Sequence, residues 1–345
     1  MKQYRILVVD DSAFMRRAIS LILENDPRFS VVGIARNGEE AVEKVKSLQP
    51  DLVTMDVEMP KMNGLQALED IMNTNPVPVV MLSSRTGEGA KETLEALELG
   101  AVDFFLKDDL IKNKGEGNQS QEFLIRLKGI VDAKVSNSTS IKAPQGKSLK
   151  RKKNGQTDLI FIGCSTGGPS ALQKILPYFP KDFQIPIVVA QHMPPGFTHA
   201  LAERFDTLCH LKVREAEDNQ IVTPGNIYIA PSGYQTRFEK KQDESIVFKV
   251  NNQVSERVLY KPSVDISLES AAPIFTDRLL TVILTGMGVD GMVGSSLVKK
   301  HHGQVFVEAE ESCIVYGMPK AVVEAGNADG QFEITRMFQE IISFT

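Results

Sequence analysis

Short, continuous apolar runs alternate with amphipathic stretches along most of the chain, and this alternation constrains the fold more than any other feature. In the first 135 residues the runs are ILVVD, VVGIA, DLVTMD, PVVML and VDFFL, each followed by a stretch with helical periodicity. Because the apolar residues in these runs are continuous rather than alternating with polar ones, they predict strands buried on both faces, as in a parallel sheet covered by helices. The sequence therefore predicts an α/β domain with five parallel strands.

A polar segment at residues 136–156, SNSTSIKAPQGKSLKRKKNGQ, interrupts this alternation. It carries six Lys or Arg residues and no acid, so it predicts a flexible linker. The apolar runs resume with LIFIG, IPIVVA, LLTVILT and QVFVEA, while shorter runs with turn signals lie between positions 213 and 250. We therefore expect one domain at residues 1–135 and another at residues 157–345. The second is predicted to be a doubly wound, mostly parallel α/β domain with an antiparallel insertion.

Composition narrows the class of protein. The 345 residues carry a net charge of −5 and are 42% hydrophobic, which argues against nucleic-acid binding. The basic residues 150–153 could bind a nucleic acid or an acidic partner, but a solvated linker explains them better. No apolar run approaches about 20 residues and the start is polar, so we expect neither membrane insertion nor a signal peptide. Three cysteines without CxxC spacing indicate a reducing compartment and a cytoplasmic protein.

Polar side chains follow four of the first five apolar runs. Asp10 ends the first run and Asp11 comes next, Asp56 ends the third, and Ser83 and Lys107 follow the fourth and fifth. The carboxyl ends of parallel strands meet at one edge of a sheet, where ligands bind. Clustered carboxylates suit Mg²⁺, and a lysine with a hydroxyl suits a transferring phosphoryl group. Helix capping accounts for one member of the acidic pair but not for the other positions.

Residues 1–135 resemble a two-component receiver domain of flavodoxin-like fold, through the acidic pair, DVEMPKMNG, the serine and the lysine. The resemblance implies that Asp56 is phosphorylated by a histidine kinase. It also implies that Asp11, Asp56 and the backbone carbonyl of Glu58 hold Mg²⁺, with Asp10 behind them.

The same resemblance implies that Lys107 pairs with the phosphate and that Ser83 is the switch residue. One position departs from the family pattern, because Asp108 stands where proline usually follows the lysine. The cis peptide bond usual at this position is therefore not expected.

The motif GCSTG directly follows the run LIFIG and fits a nucleophile elbow, which would expose Ser165. His192 follows IPIVVAQ, and Asp290 lies in the loop GMGVDG after LLTVILT. These positions suit a general base and the acid that orients it. The backbone N–H groups of Thr166 and Met287 are candidates for an oxyanion hole. The order Ser, His, Asp differs from that of the α/β-hydrolases.

Alternatives remain for both motifs. GMGVDG also fits the dinucleotide fingerprint, with Glu308 and Glu310 at a suitable distance for a ribose contact. Against this, Asp290 would bring a negative charge to the pyrophosphate. Cys164 is a second candidate nucleophile, and GCSTG could simply cap a helix. The second domain could then be a nucleotide- or partner-binding module without catalytic activity.

Residues 157–345 resemble the catalytic domain of the chemotaxis protein-glutamate methylesterases, through IGCSTGGPSAL, QHMPPGFT, YIAPSG, KPSVD, LTGMGVDG and ESCIVYGMP. The resemblance implies a triad that demethylates chemoreceptor glutamates and deamidates receptor glutamines without a cofactor. It also implies that the unphosphorylated receiver obstructs the catalytic face. Two positions depart from the pattern: Cys164 replaces the usual Ala, and Lys261 replaces the usual Arg.

Overall fold

The structure, a computed structural model, describes residues 3–84, 87–111, 118–136, 157–252 and 260–345. It divides into two compact units, residues 1–140 and 141–345, which are described separately below. Apart from Ser136, which ends a helix, the predicted linker lies outside the described residues. In the described ranges, every helix is too short or too polar to traverse a lipid bilayer.

The first unit is a parallel sheet with helices between its strands. Its described strands are β1 (Tyr4–Val9), β2 (Phe29–Ala35), β3 (Leu52–Asp56), β4 (Val79–Ser83) and β5 (Asp103–Leu106). Its described helices are α1 (Ala13–Glu24), α2 (Gly38–Leu48), α3 (Gly64–Thr74), α4 (Gly87–Glu98), α5 (Lys107–Ile111) and α6 (Asn118–Ser136). The strand order is β2-β1-β3-β4-β5 and all pairs are parallel. The predicted five-stranded parallel sheet is confirmed.

Local sequence signals fix the loops at the functional edge of this sheet. Ser12 caps α1 by accepting a hydrogen bond from Met15 N, and Asn63 forms a capping box with Gln66 at the start of α3. Gly64 follows that cap, and a Cβ there would lie 2.0 Å from the carbonyl oxygen of Asp56. Only glycine therefore lets the loop after β3 return this close to the strand end.

The second unit is built on a wider sheet. Its described strands are β6 (Leu159–Cys164), β7 (Ile187–Gln191), β8 (Lys212–Glu215), β9 (Asn226–Ile229), β10 (Gln235–Lys240), β11 (Ile246–Asn251), β12 (Leu279–Ile283), β13 (Gln304–Glu308) and β14 (Gly330–Phe332). Its described helices are α7 (Gly168–Gln173), α8 (Phe197–Leu208), α9 (Val264–Phe275), α10 (Met292–Lys300), α11 (Met318–Glu324) and α12 (Ile334–Phe344). Seven strands form a parallel sheet in the order β14-β13-β12-β6-β7-β9-β8, and β10 pairs antiparallel with β11. The predicted fold class is confirmed.

The extent of the antiparallel insertion differs from the prediction. One of the short runs between positions 213 and 250, IYIA at residues 227–230, was expected inside the insertion, but β9 joins the main sheet parallel to both β7 and β8. The connection between β8 and β9 contains no helix in the structure. Instead it pairs with β11, where Asn219 N donates to Phe248 O at 2.9 Å and Val222 N donates to Ile246 O at 2.8 Å. These contacts satisfy backbone groups of a crossover that contains no helix.

The apolar core of the second unit lies between its sheet and α9. The side chains of Phe161 on β6, Phe248 on β11 and Leu268 on α9 are fully buried and belong to one cluster. The neighbouring helix α10 contributes Val298, which is fully buried, whereas Val293 on the same helix is 54% exposed. The core therefore anchors one face of α10.

This asymmetry predicts unequal costs for the same truncation on one helix. Val298→Ala should lower the free energy of unfolding by about 2–3 kcal/mol, because it removes buried methyl groups and leaves a cavity. Val293→Ala is the matched control and should change it by no more than about 0.5 kcal/mol. Equilibrium urea unfolding of the full chain measures both values. Equal effects of the two substitutions would contradict the packing described here.

Candidate functional site

Ser165 lies directly after β6, and its main chain is held by three neighbouring segments. Ser165 N donates to Thr285 O at 3.0 Å, and Ser165 O accepts from Gly168 N at 2.8 Å and from Gln191 Nε2 at 2.9 Å. Gly286 touches the same turn, since a Cβ there would lie 2.8 Å from Ser165 Cβ. The elbow is thus fixed by loops from both adjacent strands, and Ser165 retains 8% exposure.

His192 and Asp290 lie in the loops that follow β7 and β12, the strands on either side of β6. The sheet order places β12, β6 and β7 next to one another, so their carboxyl ends share one edge. His192 N donates to Cys164 O at 3.0 Å, which sets the two backbones side by side. His192 Nε2 lies 2.8 Å from Asp290 Oδ2, and both side chains are buried.

The hydrogen bond to Asp290 determines which ring nitrogen of His192 can act as the base. With Nε2–H donating to the carboxylate, Nδ1 keeps its lone pair. Nδ1 is buried and has no hydrogen-bond partner within the described part of the chain. The imidazole therefore presents a free acceptor nitrogen in the unit that holds Ser165, as a general base requires.

The carboxylate of Asp290 is held by the start of α9. Oδ1 accepts from Ser263 Oγ at 2.9 Å and from Asp265 N at 2.9 Å, and Oδ2 accepts from Val264 N at 2.7 Å. Burial alone raises the pKa of Asp290, but the hydrogen bond and charge of His192 and these backbone donors outweigh it and hold the pKa below its usual range. Asp290 is therefore ionised and fixed in orientation.

The Asp265 carboxylate makes the equivalent interaction at the start of α10. Its Oδ1 accepts from Gly291 N at 2.9 Å and from Gly294 N at 2.7 Å, and Gly291 is an N-cap residue without a side chain of its own. The Asp290 carboxylate thus caps α9, the helix that contains Asp265, and the Asp265 carboxylate caps α10, the helix that follows Asp290. Burial raises the pKa of Asp265 to about 6, and the charge of Asp290 adds to that rise.

The two candidate oxyanion donors lie on either side of Ser165. Thr166 follows it in the chain, and Met287 follows Gly286, the glycine that touches Ser165. Thr285 Oγ1 donates to Thr166 O at 3.0 Å and so ties the two loops together. The Met287 N–H donates to no protein acceptor among the residues that the structure describes. Its role in an oxyanion hole stays a prediction.

Glu308, at the end of β13, holds the loop that follows β12. It is 1% exposed, and its carboxylate accepts from Thr285 N at 2.8 Å and from Ser312 Oγ at 3.0 Å. Burial raises its pKa although both hydrogen bonds oppose the rise. The Glu308 carboxylate is therefore occupied within the protein, which weakens the support that Glu308 gives to the dinucleotide interpretation.

Cys164 is unsuited to be the nucleophile. It is fully buried, its Sγ donates to Gln191 Oε1 at 3.0 Å, and burial raises the pKa of the thiol well above its usual range. A thiol without thiolate character is a poor nucleophile. These contacts favour Ser165.

In the first unit, the predicted acidic cluster forms at the carboxyl edge of the sheet. One oxygen from each of Asp10, Asp11 and Asp56 lies within 4.8 Å of the other two. Lys107 Nζ lies 2.5 Å from Asp56 Oδ2 and 3.0 Å from Asp10 Oδ2. Three carboxylates around one point form a donor set that fits a hard cation such as Mg²⁺.

Burial dominates the electrostatics of this cluster. It raises the pKa of Asp56 to about 6, because the Lys107 charge offsets only part of the desolvation and the other acids repel. Burial lowers the pKa of Lys107, but attraction to Asp56 and Asp10 outweighs it and the net pKa is raised. The charges of the protein itself therefore leave the Asp56 carboxylate under-compensated.

The remaining predicted residues line the same open cleft. Glu58 is exposed there, and Ser83 is buried in its wall. Ser83 Oγ accepts from Thr93 Oγ1 at 2.7 Å and lies 3.2 Å from Gly89 O, so the hydroxyl is tied to α4. The peptide bond after Lys107 is trans, as expected from the missing proline.

The two units together define a class: a receiver-type phosphorylation module joined to a serine-hydrolase-type catalytic unit. The family model of the CheB methylesterase matches residues 160–341, and the model of the response regulator receiver domain matches residues 6–112. The chain belongs to the CheB methylesterase family and carries a response regulator receiver domain. The resemblance inferred from the sequence motifs is thereby confirmed.

Curated relatives span both units. Protein-glutamate methylesterase/protein-glutamine glutaminase 1 of Oleidesulfovibrio alaskensis is 40% identical, with 98% of each chain covered. The protein-glutamate methylesterase/protein-glutamine glutaminase of Halalkalibacterium halodurans is 42% identical, with 96% of this chain and 95% of that one covered. The crystal structure of the Thermotoga maritima CheB methylesterase catalytic domain is 42% identical and has a TM-score of 0.53. It covers 55% of this chain and 100% of that one.

Several residues that build the catalytic site were missed by reasoning from the sequence. They are Gln191, Ser263, Asp265, Thr285 and, as a support of the loops, Glu308. The available signal was a polar side chain at or beside a buried strand end, or in the motif KPSVD. That signal does not say which distant backbone group the side chain contacts.

The reciprocal capping predicts different outcomes for two substitutions of Asp265. Asp265→Asn keeps an oxygen acceptor for the α10 N–H groups, whereas Asp265→Ala loses it and should lower the free energy of unfolding at pH 7 by about 1–2 kcal/mol relative to Asn. Because the folded-state pKa of Asp265 is raised from 3.8 to about 6, wild type should lose stability relative to Asn as pH rises through that window. Urea unfolding at several pH values measures this. A difference that does not change with pH would contradict the assignment.

Proposed function

We propose that this chain is a cytoplasmic hydrolase that demethylates glutamate methyl esters on chemoreceptors and deamidates specific receptor glutamines. The observation that carries the proposal is the His192–Asp290 pair, whose side chains lie 2.8 Å apart in the loops that follow β7 and β12, the two neighbours of the strand before Ser165. The curated relatives are named for both reactions. All three cysteines are free thiols, in keeping with a reducing compartment.

We assign the receiver to residues 1–135, the linker to residues 136–156 and the catalytic domain to residues 157–345. The two matched family models, at residues 6–112 and 160–341, lie inside these bounds. The last described helix of the first unit ends at Ser136, next to the proposed boundary.

In the proposed acylation step, Ser165 Oγ attacks the γ-carbonyl carbon of the substrate side chain. His192 Nδ1 takes the serine proton, while Asp290 holds Nε2–H and stabilises the imidazolium. The N–H groups of Thr166 and Met287 would donate to the developing oxyanion. Collapse of the tetrahedral intermediate breaks the bond to the leaving group, which receives the proton from His192.

The leaving group is methanol from an ester and ammonia from an amide, so one site serves both reactions. A water molecule then attacks the acyl-enzyme, with His192 Nδ1 again accepting a proton and returning it to Ser165 Oγ. The products are a free glutamate carboxylate and the regenerated enzyme. No cofactor enters this sequence of steps.

For the receiver, we propose that Asp56 accepts a phosphoryl group from a chemotaxis histidine kinase. Asp11, Asp56 and the backbone carbonyl of Glu58 would hold Mg²⁺, with Asp10 behind them; the bound ion would neutralise charge on the transferring phosphoryl oxygens. Lys107 would pair with the phosphate, and Ser83 would leave its contacts with α4 to follow it. Phosphorylation would then raise the activity of the catalytic domain.

The proposed partners follow from these reactions. They are a histidine kinase as phosphodonor and methylated chemoreceptors as substrate, without nucleic-acid binding or membrane insertion. The net charge of −5 disfavours binding to a polyanion.

Incubation with methylated chemoreceptor membranes tests the catalytic assignment. Ser165→Ala should reduce methanol release at least about 10³-fold, because the nucleophile is removed while the oxyanion donors stay. The adjacent Cys164→Ala is the matched control and should release methanol at a rate close to wild type. If Cys164→Ala lost activity and Ser165→Ala kept it, the nucleophile would be the cysteine.

A small phosphodonor with Mg²⁺ tests the control by phosphorylation. Methanol release by wild type should rise on its addition, and this stimulation should disappear in Asp56→Ala because the acceptor carboxylate is gone. Glu58→Gln is the control, since only the backbone carbonyl of Glu58 is proposed to hold the ion. Equal stimulation of Asp56→Ala and wild type would refute the switch.

A further inference from the structure

An aromatic ring lies face to face on the candidate base. The ring centroids of Tyr260 and His192 are 4.1 Å apart and their planes differ by 6°. We propose that Tyr260 is a positioning residue that fixes the His192 imidazole and favours its protonated state during the reaction. This inference rests on the proposed function, because it assigns to His192 the role of base.

The backbone from Tyr260 to Ser263 is anchored by hydrogen bonds to β10. Gln235 on β10 is fully buried, and its Nε2 donates to Tyr260 O at 2.7 Å. Its Oε1 accepts from Ser263 N at 2.8 Å. One buried amide thus holds both ends of a four-residue segment. That segment brings Tyr260 to His192 and Ser263 to Asp290.

The far end of the Tyr260 ring reaches the loop after β12. A Cβ added to Gly288 would lie 3.3 Å from the Tyr260 hydroxyl oxygen, so the ring extends from the imidazole to the loop that carries Met287 and Asp290. The stack therefore covers one face of His192. With Asp290 bound to Nε2, the ring cannot turn without losing one of these two contacts.

The aromatic face also acts electrostatically. The face of a tyrosine ring carries partial negative charge and attracts a cation placed over it, more strongly where water is excluded. Two charged groups are also close: Asp290, which bonds to the imidazole, and Asp265, whose N–H bonds to Asp290. Both carboxylates attract a positive charge on the imidazole, whereas the Tyr260 ring lies against its face.

Substitution of Tyr260 should change the pH profile in a definite direction. His192 must be neutral to accept the serine proton, so its protonation produces the acidic limb of the profile of kcat/KM. Removal of the ring disfavours protonation, and Tyr260→Leu should move that limb to lower pH by about 0.5–1 unit. Its kcat should fall about 2- to 10-fold with little change in KM. Tyr260→Phe keeps the aromatic face and should keep the acidic limb at its wild-type position.

Nuclear magnetic resonance of the histidine-labelled full chain provides a readout that needs no turnover. The His192 ring signals, assigned with a His192→Gln variant, should show the ring-current shift of a stacked ring in wild type and Tyr260→Phe. In Tyr260→Leu this shift should be lost and the titration should move to lower pH. Tyr260→Met replaces Leu if the latter unfolds at a lower temperature.

The two readouts separate the possible failures. If both non-aromatic variants keep the wild-type titration and acidic limb, the ring is only a packing group and the inference is wrong. If the titration shifts as expected but no variant, including wild type, releases methanol, the proposed function is wrong while the electrostatic coupling of the two rings stands.

Discussion

The catalytic unit depends on one buried negative charge, the carboxylate of Asp290. Burial of an unpaired carboxylate is costly, and here four donors offset it: the imidazole, the Ser263 hydroxyl and two backbone N–H groups of α9. Asp265 returns the same interaction to α10. One hydrogen-bonded network therefore links α9, α10 and the loop between β12 and α10. The same network orients His192.

The buried acid of the receiver, Asp56, is in the opposite electrostatic situation. Asp56 also lies at a strand end, but its cation partner Lys107 offsets only part of the desolvation, and its pKa is raised to about 6. Asp290 is satisfied by the protein alone and has a lowered pKa. A carboxylate such as Asp290, whose charge is balanced by hydrogen-bond donors, suits a permanent orienting role. A carboxylate such as Asp56, whose charge is only partly balanced and which lies beside two other acids, suits the binding of a cation and a phosphoryl group.

Much of the fold could be predicted because continuous apolar runs mark strands that are buried on both faces, and parallel strands place their ends at one edge. That rule brought Asp10, Asp56 and Lys107 together. It failed for the run IYIA, which became β9 of the parallel sheet. Closely spaced runs with turn signals resemble a hairpin, and nothing local in the sequence shows that the preceding crossover pairs with β11.

The sequence by itself determined which side chains stand at the strand ends, since this depends only on apolar runs and on the residue that follows each. The tertiary structure decided how they are used. The pairing of His192 with Asp290 joins residues 98 positions apart, and it selects Nδ1 as the free ring nitrogen. The cap from Asp265 and the stack of Tyr260 also join segments distant in sequence. Such contacts depend on side-chain direction and on distances that exist only after the sheet has assembled.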